Sequence, residues 1–503
     1  MSTIRRQSIF SSVIVYIGFA LGLLNTYFFT RQNGNFTAAQ YGLTQIFVSI
    51  ATVMFSFANL GMQAYINKFY PYYNDHLDTK KNDLFTWAIL VSSVGFLLVI
   101  AGGFIFKHLV VQKFGANSEE LVTYYAWTFP FGFGLTLYTI LESYAQQLKK
   151  SVLTTYLREL QFRIFTTILI ICLSIGILPG FGSFIKLYSF NYFAVALILL
   201  CYILYRKEAY FTFSISRVTK KFRKKIFALA TLIWSGMLLH NIAAVFAQFV
   251  IASVMPKGLA NTGIFILAQY MTSIMQAPQR GIITSSIGPL SKAWKDKDIK
   301  KIDLIYHRSS INQLIFSMAM FVIIWMNFKD GIVNFHLKAD FLQAQYVFLF
   351  LGLNCIIDMG TGVNAQIIGT STFWRFDFIT GIILLGISLP LSYVLTKTTG
   401  ITGPAIATLI SFTIYNGIRY FFLLKKFNMQ PFTIKTFYAI ACALISFLVS
   451  YYLFKNHSGF LWMIIRSTVF MFAYLFCVFY FNLSPDILPV LTTIKKRLGI
   501  KIS

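Results

Sequence analysis

Arg280 stands in the middle of a long apolar run, between Pro278 and Gly281. A guanidinium at such a depth in a bilayer costs about 2.5 to 3.5 kcal/mol on insertion scales, so it marks a function or a partner. Its planar donor fork stays charged and matches a phosphate or a carboxylate. Pro278 removes a backbone donor and frees a carbonyl one turn earlier, so the helix is expected to kink beside Arg280. Two readings compete with anion binding: snorkelling to a membrane surface, and pairing with a buried acid.

The residues around Arg280 extend the polarity. Gln269, Ser273, Gln276, Arg280 and Thr284 recur at spacings of three and four, which places them on one helix face, and an earlier run repeats the pattern with Gln45, Ser49, Thr52, Ser56, Asn59 and Gln63. A single Ser or Thr is explained by helix packing, where an interhelical hydrogen bond contributes roughly 0.6 kcal/mol. Polarity sustained along a whole span is what the wall of a hydrated cavity requires.

Asp358, in GLNCIIDMGTGVNAQIIG with Asn354 and Asn364 nearby, has no opposite charge close by in sequence. A protonatable carboxylate at that depth suits proton or sodium coupling, or a salt bridge to an Arg on another helix, Arg280 among them. Glu142, Arg158, Glu159 and Arg163 lie near the ends of two apolar runs joined by Lys149 and Lys150. They form either an ion-pair network that fixes the hairpin or an inner gate that opens during transport. His240 reads as a core residue, Arg375 and Asp377 as anchors of a span, and Arg419 and Arg466 as snorkelling cations. The cysteines at 172, 201, 355, 442 and 477 lack metal-ligand spacing and read as small core residues. No P-loop, nucleophile elbow, HExxH or paired-carboxylate motif is present, so the chain reads as a non-enzyme without a cofactor, coupled at most to H+ or Na+.

The elements that position these residues are apolar stretches of about 20 residues, the length that crosses a bilayer as a helix. Fourteen are expected, over 8 to 30, 42 to 67, 84 to 111, 121 to 147, 152 to 177, 185 to 206, 226 to 253, 263 to 290, 307 to 329, 343 to 369, 374 to 396, 402 to 424, 435 to 455 and 460 to 482. The composition agrees: 57% hydrophobic, 18% aromatic and 12% charged over 503 residues, with a mean hydropathy of +0.68. Water-soluble domains of this size do not have such a composition.

A net charge of +27 would indicate nucleic acid in a soluble chain. Here orientation explains it: with a cytoplasmic N-terminus, most of the 43 Lys and Arg fall in cytoplasmic segments. The densest clusters, Arg217 to Lys225 and Lys292 to Lys301, suit anionic headgroups. Arg5 and Arg6 precede the first apolar run without a cleavage site, so that run is expected to remain as a span.

The expected organisation is an N-terminal six-helix lobe over 1–206 and a basic cytoplasmic linker over 207–225. A C-terminal six-helix lobe over 226–426, two additional helices over 427–482 and a basic cytoplasmic tail over 483–503 follow. An internal repeat supports the two lobes. AQYGLTQIFVSIATVMFSFANLGMQA from Ala39 overlies ANTGIFILAQYMTSIMQAPQRGIITS from Ala260, matching Gly42 with Gly263, Thr52 with Ser273 and Asn59 with Arg280. Six spans per lobe make the repeat parallel.

The segments IRRQSIFSSVIVYIGFALGLLNTYFFTR and NFTAAQYGLTQIFVSIATVMFSFANLGMQAYINKFYP carry Gly18, Gly22 and Asn25, then Tyr41 with Gly42, then Leu60, Gly61 and Lys68 to Pro71. With SVLTTYLRELQFRIFTTILII from Ser151, they resemble the polysaccharide-biosynthesis (O-antigen) flippases of the MOP, or MATE-like, exporter superfamily. The resemblance implies an all-α polytopic fold of two six-helix lobes around a central cavity, and alternating access that moves an undecaprenyl-pyrophosphate-linked oligosaccharide across the bacterial cytoplasmic membrane. It implies membrane lipids as surroundings, and a polysaccharide polymerase and glycosyltransferases as partners, with no nucleic acid. On this reading Arg280, Gln276, Ser273, Gln269, Asn59, Gln45, Thr52 and Asn25 line the cavity, and Asp358, Glu142, Arg158 and Arg163 serve coupling or gating.

Three alternatives stand beside it. A multidrug exporter for cations calls for more deep acids than Asp358. The lipid II flippases resemble a more Arg-rich first lobe, whereas the stripe of the second span here is neutral and Arg31 lies at an external end. A non-transporting scaffold would recruit polysaccharide enzymes through the 217 to 225 cluster.

Overall fold

The computed structural model describes residues 3–486, with side chains from residue 13 onward apart from those at 284 and 374. Of the tail assigned to 483–503, the part from 487 lies outside the described residues. The chain is helical and divides into two compact units, Met1–Gly263 and Ile264–Ser503.

The first unit holds α1 (Thr3–Thr30), α2 (Ala38–Ala58), α3 (Met62–His76), α4 (Leu84–Ile105), α5 (Lys107–Phe114), α6 (Glu119–Thr123) and α7 (Thr128–Gln147). It continues through α8 (Ser151–Tyr156), a π-helical turn over Leu157–Gln161, α9 (Phe162–Ser174), α10 (Phe181–Tyr188), α11 (Asn191–Tyr205) and α12 (Arg217–Val254). It ends within α13 (Gly258–Met275). The second unit contains α14 (Ala277–Lys295), α15 (Ile299–Asn334), α16 (Ala344–Gly360), α17 (Asn364–Thr370), α18 (Trp374–Thr399), α19 (Gly403–Phe427), α20 (Ile434–Phe454) and α21 (Phe460–Tyr480).

Among the described residues, ten stretches are long and apolar enough to cross a membrane, and one of them, Arg375–Phe427, contains both α18 and α19. Other expected spans are interrupted, as the tenth is between α16 and α17. The segment Arg217 to Lys225, read from sequence as linker, is instead the start of the 38-residue α12. Its N-terminus is set by Ser216, whose hydroxyl accepts from Thr219 N at 3.1 Å. Buried Asp83 supports the same turn, its Oδ2 accepting from Ser216 N at 2.9 Å and from the Thr219 hydroxyl at 2.8 Å.

In the first unit α2 packs on α4, α7 and α12. It begins at a capping box, with Gln40 N donating to Thr37 Oγ1 at 3.1 Å and Thr37 N to Gln40 Oε1 at 3.0 Å. Gly42 lets this end approach the start of α13: a Cβ added there would stand 1.8 Å from Leu259 O and 3.1 Å from Gly263 N. The two glycines matched by the internal repeat therefore lie against one another.

In the second unit α20 and α21 pack on α15. Ala439, Ala443, Ser446 and Ser450 form a small-residue seam along α20 and are all buried. Small side chains let helix backbones approach where lipid provides no hydrophobic drive between helices.

Candidate functional site: two interrupted polar helices and the buried charges

Both polar stripes run into helix breaks. The second span is not one helix: α2 ends at Ala58, Leu60 and Gly61 have φ of 45° and 78°, and α3 restarts at Met62. Two left-handed residues in succession end helical register, so Gln63 does not continue the face of Gln45. The eighth span breaks at Gln276, where Pro278 falls in the first turn of α14. A proline there lacks only a donor that the helix start leaves unused.

On α2 the stripe hydroxyls mostly bond back to their own helix: Ser49 to Gln45 O at 3.2 Å, Thr52 to Val48 O at 2.8 Å and Ser56 to Thr52 O at 2.7 Å. Ser56 also meets α12. Asn241 Nδ2 donates to its hydroxyl at 2.8 Å, and Trp234 Nε1 donates to its carbonyl at 2.7 Å. Gln45 and Thr52 are half-buried. Asn59, at the break, is buried: its Oδ1 accepts from Gln63 N at 3.1 Å, while its Nδ2 is without a partner. An unsatisfied buried donor costs about 1 to 3 kcal/mol, which a polar ligand would offset.

Asn25 is set apart from that stripe. Its Nδ2 donates to Arg163 O at 3.0 Å and its Oδ1 accepts from the Thr167 hydroxyl at 2.7 Å, tying α1 to α9. Gly18, two turns earlier, packs on the π turn, where an added Cβ would stand 2.8 Å from Arg163 Nη1 and 2.9 Å from Glu159 O.

The charges of that hairpin form one network. Arg158 Nη1 reaches Glu142 Oε1 at 3.1 Å, Arg158 Nε reaches Glu159 Oε1 at 3.3 Å, and Arg163 Nη1 reaches Glu159 Oε2 at 2.6 Å. Glu142 is buried and the Arg158 side chain is half exposed. In the adjoining turn Lys150 Nζ meets Glu208 Oε1 at 2.9 Å, and that hydrogen bond holds the Lys150 ammonium above its ordinary range.

In the second unit the first turn of α14 carries the polar residues after the break. Gln276 is half-buried, and Ser273 donates to Tyr270 O at 2.7 Å. Gln269 and Arg280 are exposed. Gln279, which sequence reasoning passed over, is buried, and its Nε2 donates to Asp358 Oδ2 at 2.8 Å. Asn416 Nδ2 of α19 donates to Asp358 Oδ1 at 3.2 Å, and Asn364 Nδ2 donates to Asn416 Oδ1 at 3.0 Å. Both oxygens of Asp358 are thus supplied by amide donors, which stabilise a carboxylate without neutralising it.

Two expectations are corrected. Arg419 and Arg466 do not snorkel: both are buried, with Arg419 paired to Asp377 and Arg466 Nη2 at 2.6 Å from Asp330 Oδ2. Arg466 also donates to Asn327 Oδ1 from Nε at 3.1 Å and from Nη2 at 2.7 Å. An inward guanidinium needs such partners because lipid offers none. His240, read as a core residue, is exposed on α12. All five cysteines are free, Cys355 and Cys442 buried and Cys201 exposed.

The many apolar spans are those of a multi-pass membrane protein, and its fold is shared by a lipid II flippase and by MATE transporters of known structure. Among solved structures, a lipid II flippase MurJ in an inward closed conformation is similar over 94% of this chain and 99% of its own, with a TM-score of 0.73 and 17% identity. A multidrug resistance MATE family transporter of the MOP superfamily, inward-facing, matches 82% of this chain and 97% of its own at TM-score 0.60 and 14% identity. The Vibrio cholerae MATE transporter VcmN in its bent form matches 89% and 99% at TM-score 0.52 and 13% identity. At these identities the likeness is one of fold. No family model matches the sequence, and no curated protein matches it.

Proposed function

We propose that the protein is a flippase that moves an undecaprenyl-pyrophosphate-linked oligosaccharide, an O-antigen, capsule or exopolysaccharide repeat unit, across the bacterial cytoplasmic membrane by alternating access. The observation that carries this reading is the exposed Arg280 in the first turn after the break at Gln276. A half-helix N-terminus inside a membrane presents unused N–H groups and a partial positive charge. A guanidinium in the same turn adds a fixed cation, and the pair suits a pyrophosphate. Gln276, Ser273, Gln269, Gln45, Thr52 and Asn59 provide amides and hydroxyls of the kind that satisfy sugar hydroxyls. Asp358 is the coupling group for H+ or Na+ in this account.

The fold likeness to a lipid II flippase over 94% of the chain favours a second reading, in which the cargo is the lipid-linked peptidoglycan precursor itself. A cation exporter is less well supported: Glu142, Asp330 and Asp377 are each paired with an arginine, and Asp358 is held by amides.

The test is genetic. In a strain lacking its own copy, Arg280→Ala at normal membrane levels should abolish surface polysaccharide and trap lipid-linked precursor inside, and Arg280→Lys should partly restore export. Full export with Arg280→Ala rejects the role of Arg280 and returns a scaffold working through the 217 to 225 cluster to contention.

A further inference from the structure

Before α12 the chain runs non-helical through YFTFSIS, residues 210–216, and is tied to the start of α4. Tyr210 O accepts from the Thr86 hydroxyl at 3.4 Å, Thr212 N donates to Thr86 Oγ1 at 2.7 Å, and the Thr212 hydroxyl donates to Lys80 O at 2.8 Å. Ser216 N donates to Asp83 Oδ2 at 2.9 Å. Between these anchors Phe213 and Ile215 stand outward, 69% and 52% exposed. Because α4 lies in one of the apolar spans, its start puts both side chains at the edge of the hydrocarbon.

The opening turns of α12 divide into two faces. Val218, Phe222, Ile226 and Leu229, at spacings of four and three, pack on the core of the first unit, with the Phe222 ring 5.8 Å from that of Phe69 and 5.2 Å from that of Tyr72. The other face is cationic. Arg217, Lys220, Lys221, Arg223, Lys224 and Lys225 are exposed, and among the described residues none of the six is in a salt bridge. Phe227 follows Arg223 by four residues and Leu232 follows Lys225 by seven, so they continue the same outer faces, and they are 75% and 70% exposed. At 1.5 Å per residue the 38 residues of α12 extend about 57 Å, against about 30 Å for a hydrocarbon core, so part of the helix must leave it. The change from cations to Phe227 and Leu232 marks where the helix crosses the headgroup level.

We propose that residues 211–232 form a docking surface for anionic phospholipid, with the six cations on headgroup phosphates and Phe213, Ile215 and Phe227 among the acyl chains. Charge complementarity selects an anion, and the apolar side chains on either side of the cations select a bilayer. An acidic protein or a nucleic acid would match the cations and leave those side chains in water. The surface is independent of the cargo that the protein moves.

The full chain is purified in dodecyl maltoside, and its thermal unfolding is followed during titration with dioleoyl phosphatidylglycerol, dioleoyl phosphatidylcholine or glycerol phosphate. The proposal expects stabilisation by phosphatidylglycerol well beyond that by phosphatidylcholine and none by glycerol phosphate. The difference should vanish in about 1 M NaCl, where screening acts within about 3 Å. Lys220→Gln, Lys221→Gln, Lys224→Gln and Lys225→Gln combined should unfold near the wild-type temperature in detergent alone, and should lose apparent affinity for phosphatidylglycerol about fivefold per charge removed. A nitroxide at Ile215→Cys, with the native cysteines replaced, reads depth in phosphatidylglycerol nanodiscs without relying on the lysine variant. It should be relaxed more by oxygen than by a water-soluble nickel chelate. Equal stabilisation by the two lipids, an equal effect of glycerol phosphate, a difference that survives the salt, full affinity in the combined variant, or a nitroxide relaxed mainly by the chelate would each overturn the proposal.

Discussion

Gln279 donates its amide to Asp358 at 2.8 Å, and it does so one residue before Arg280. This bond pins the first turn of α14 to α16, and Asn416 completes the hold from α19. Arg280 is thus the neighbour in sequence of a residue bonded to Asp358, whose two oxygens both accept from amides.

From this arrangement, Asp358→Asn should leave membrane levels close to wild type and remove the response of transport to an imposed proton or sodium gradient. Gln279→Ala should weaken apparent substrate affinity several-fold while retaining the gradient response. Transport assayed in vesicles with and without each gradient checks both, and an unchanged gradient response in Asp358→Asn contradicts the coupling role.

Arg466 is buried and pairs with the half-buried Asp330 between α21 and α15. Removing one partner of such a pair leaves the other charge uncompensated, at a cost that rises with its burial. Arg466→Ala should therefore lower the melting temperature in detergent strongly, and Arg466→Met less when combined with Asp330→Leu. Equal melting of Arg466→Ala and wild type would show that the pair contributes nothing to holding the last helix.

For Glu142 and Arg158 the structure gives contact without sealing, because the Arg158 side chain is half exposed. A double-mutant cycle with Glu142→Gln and Arg158→Gln should return a coupling of about 1 kcal/mol or less in stability. A gate would show itself differently, as a change in transport rate with stability unaltered, and the charge-reversed pair would then restore rate.

The all-helical, many-spanned character was legible in the sequence because a 20-residue apolar run has few alternatives to a membrane helix, but against fourteen expected spans ten stretches among the described residues are long and apolar enough to cross. The break at Gln276 was legible too, since Pro278 forces it. The break at Leu60 was not read, although Gly61 beside it, at φ of 78°, is the residue type that ends helices; φ of 45° at a leucine has no signature of its own. Asp358 stood out as a charge in an apolar run, but its partners did not, because Gln279 and Asn416 lie on other helices and pairing across helices carries no sequence spacing. One signal was available. Asn416 and Arg419 sit three apart on α19, on one face, and each meets an acid. Snorkelling for Arg419 and Arg466 was inferred from distance to a helix end alone, which ignores which way the face points.

Gly42→Ala should reduce folded yield and melting temperature, because its Cβ would fall 1.8 Å from a backbone oxygen that cannot rotate away. Gly102→Ala, with open space around its Cβ, should be neutral or slightly stabilising, as alanine is favoured over glycine in a helix by up to about 1 kcal/mol. Thermal shift of the two purified variants compares them directly.

The central claim is that Arg280 holds the anionic headgroup of a lipid-linked saccharide during translocation. The most direct measurement places purified protein in proteoliposomes with a fluorescent polyprenyl-pyrophosphate-linked oligosaccharide and follows its accessibility to a membrane-impermeant quencher over time. The account predicts translocation by wild type, loss with Arg280→Ala and partial recovery with Arg280→Lys. Translocation by Arg280→Ala at the wild-type rate would contradict it.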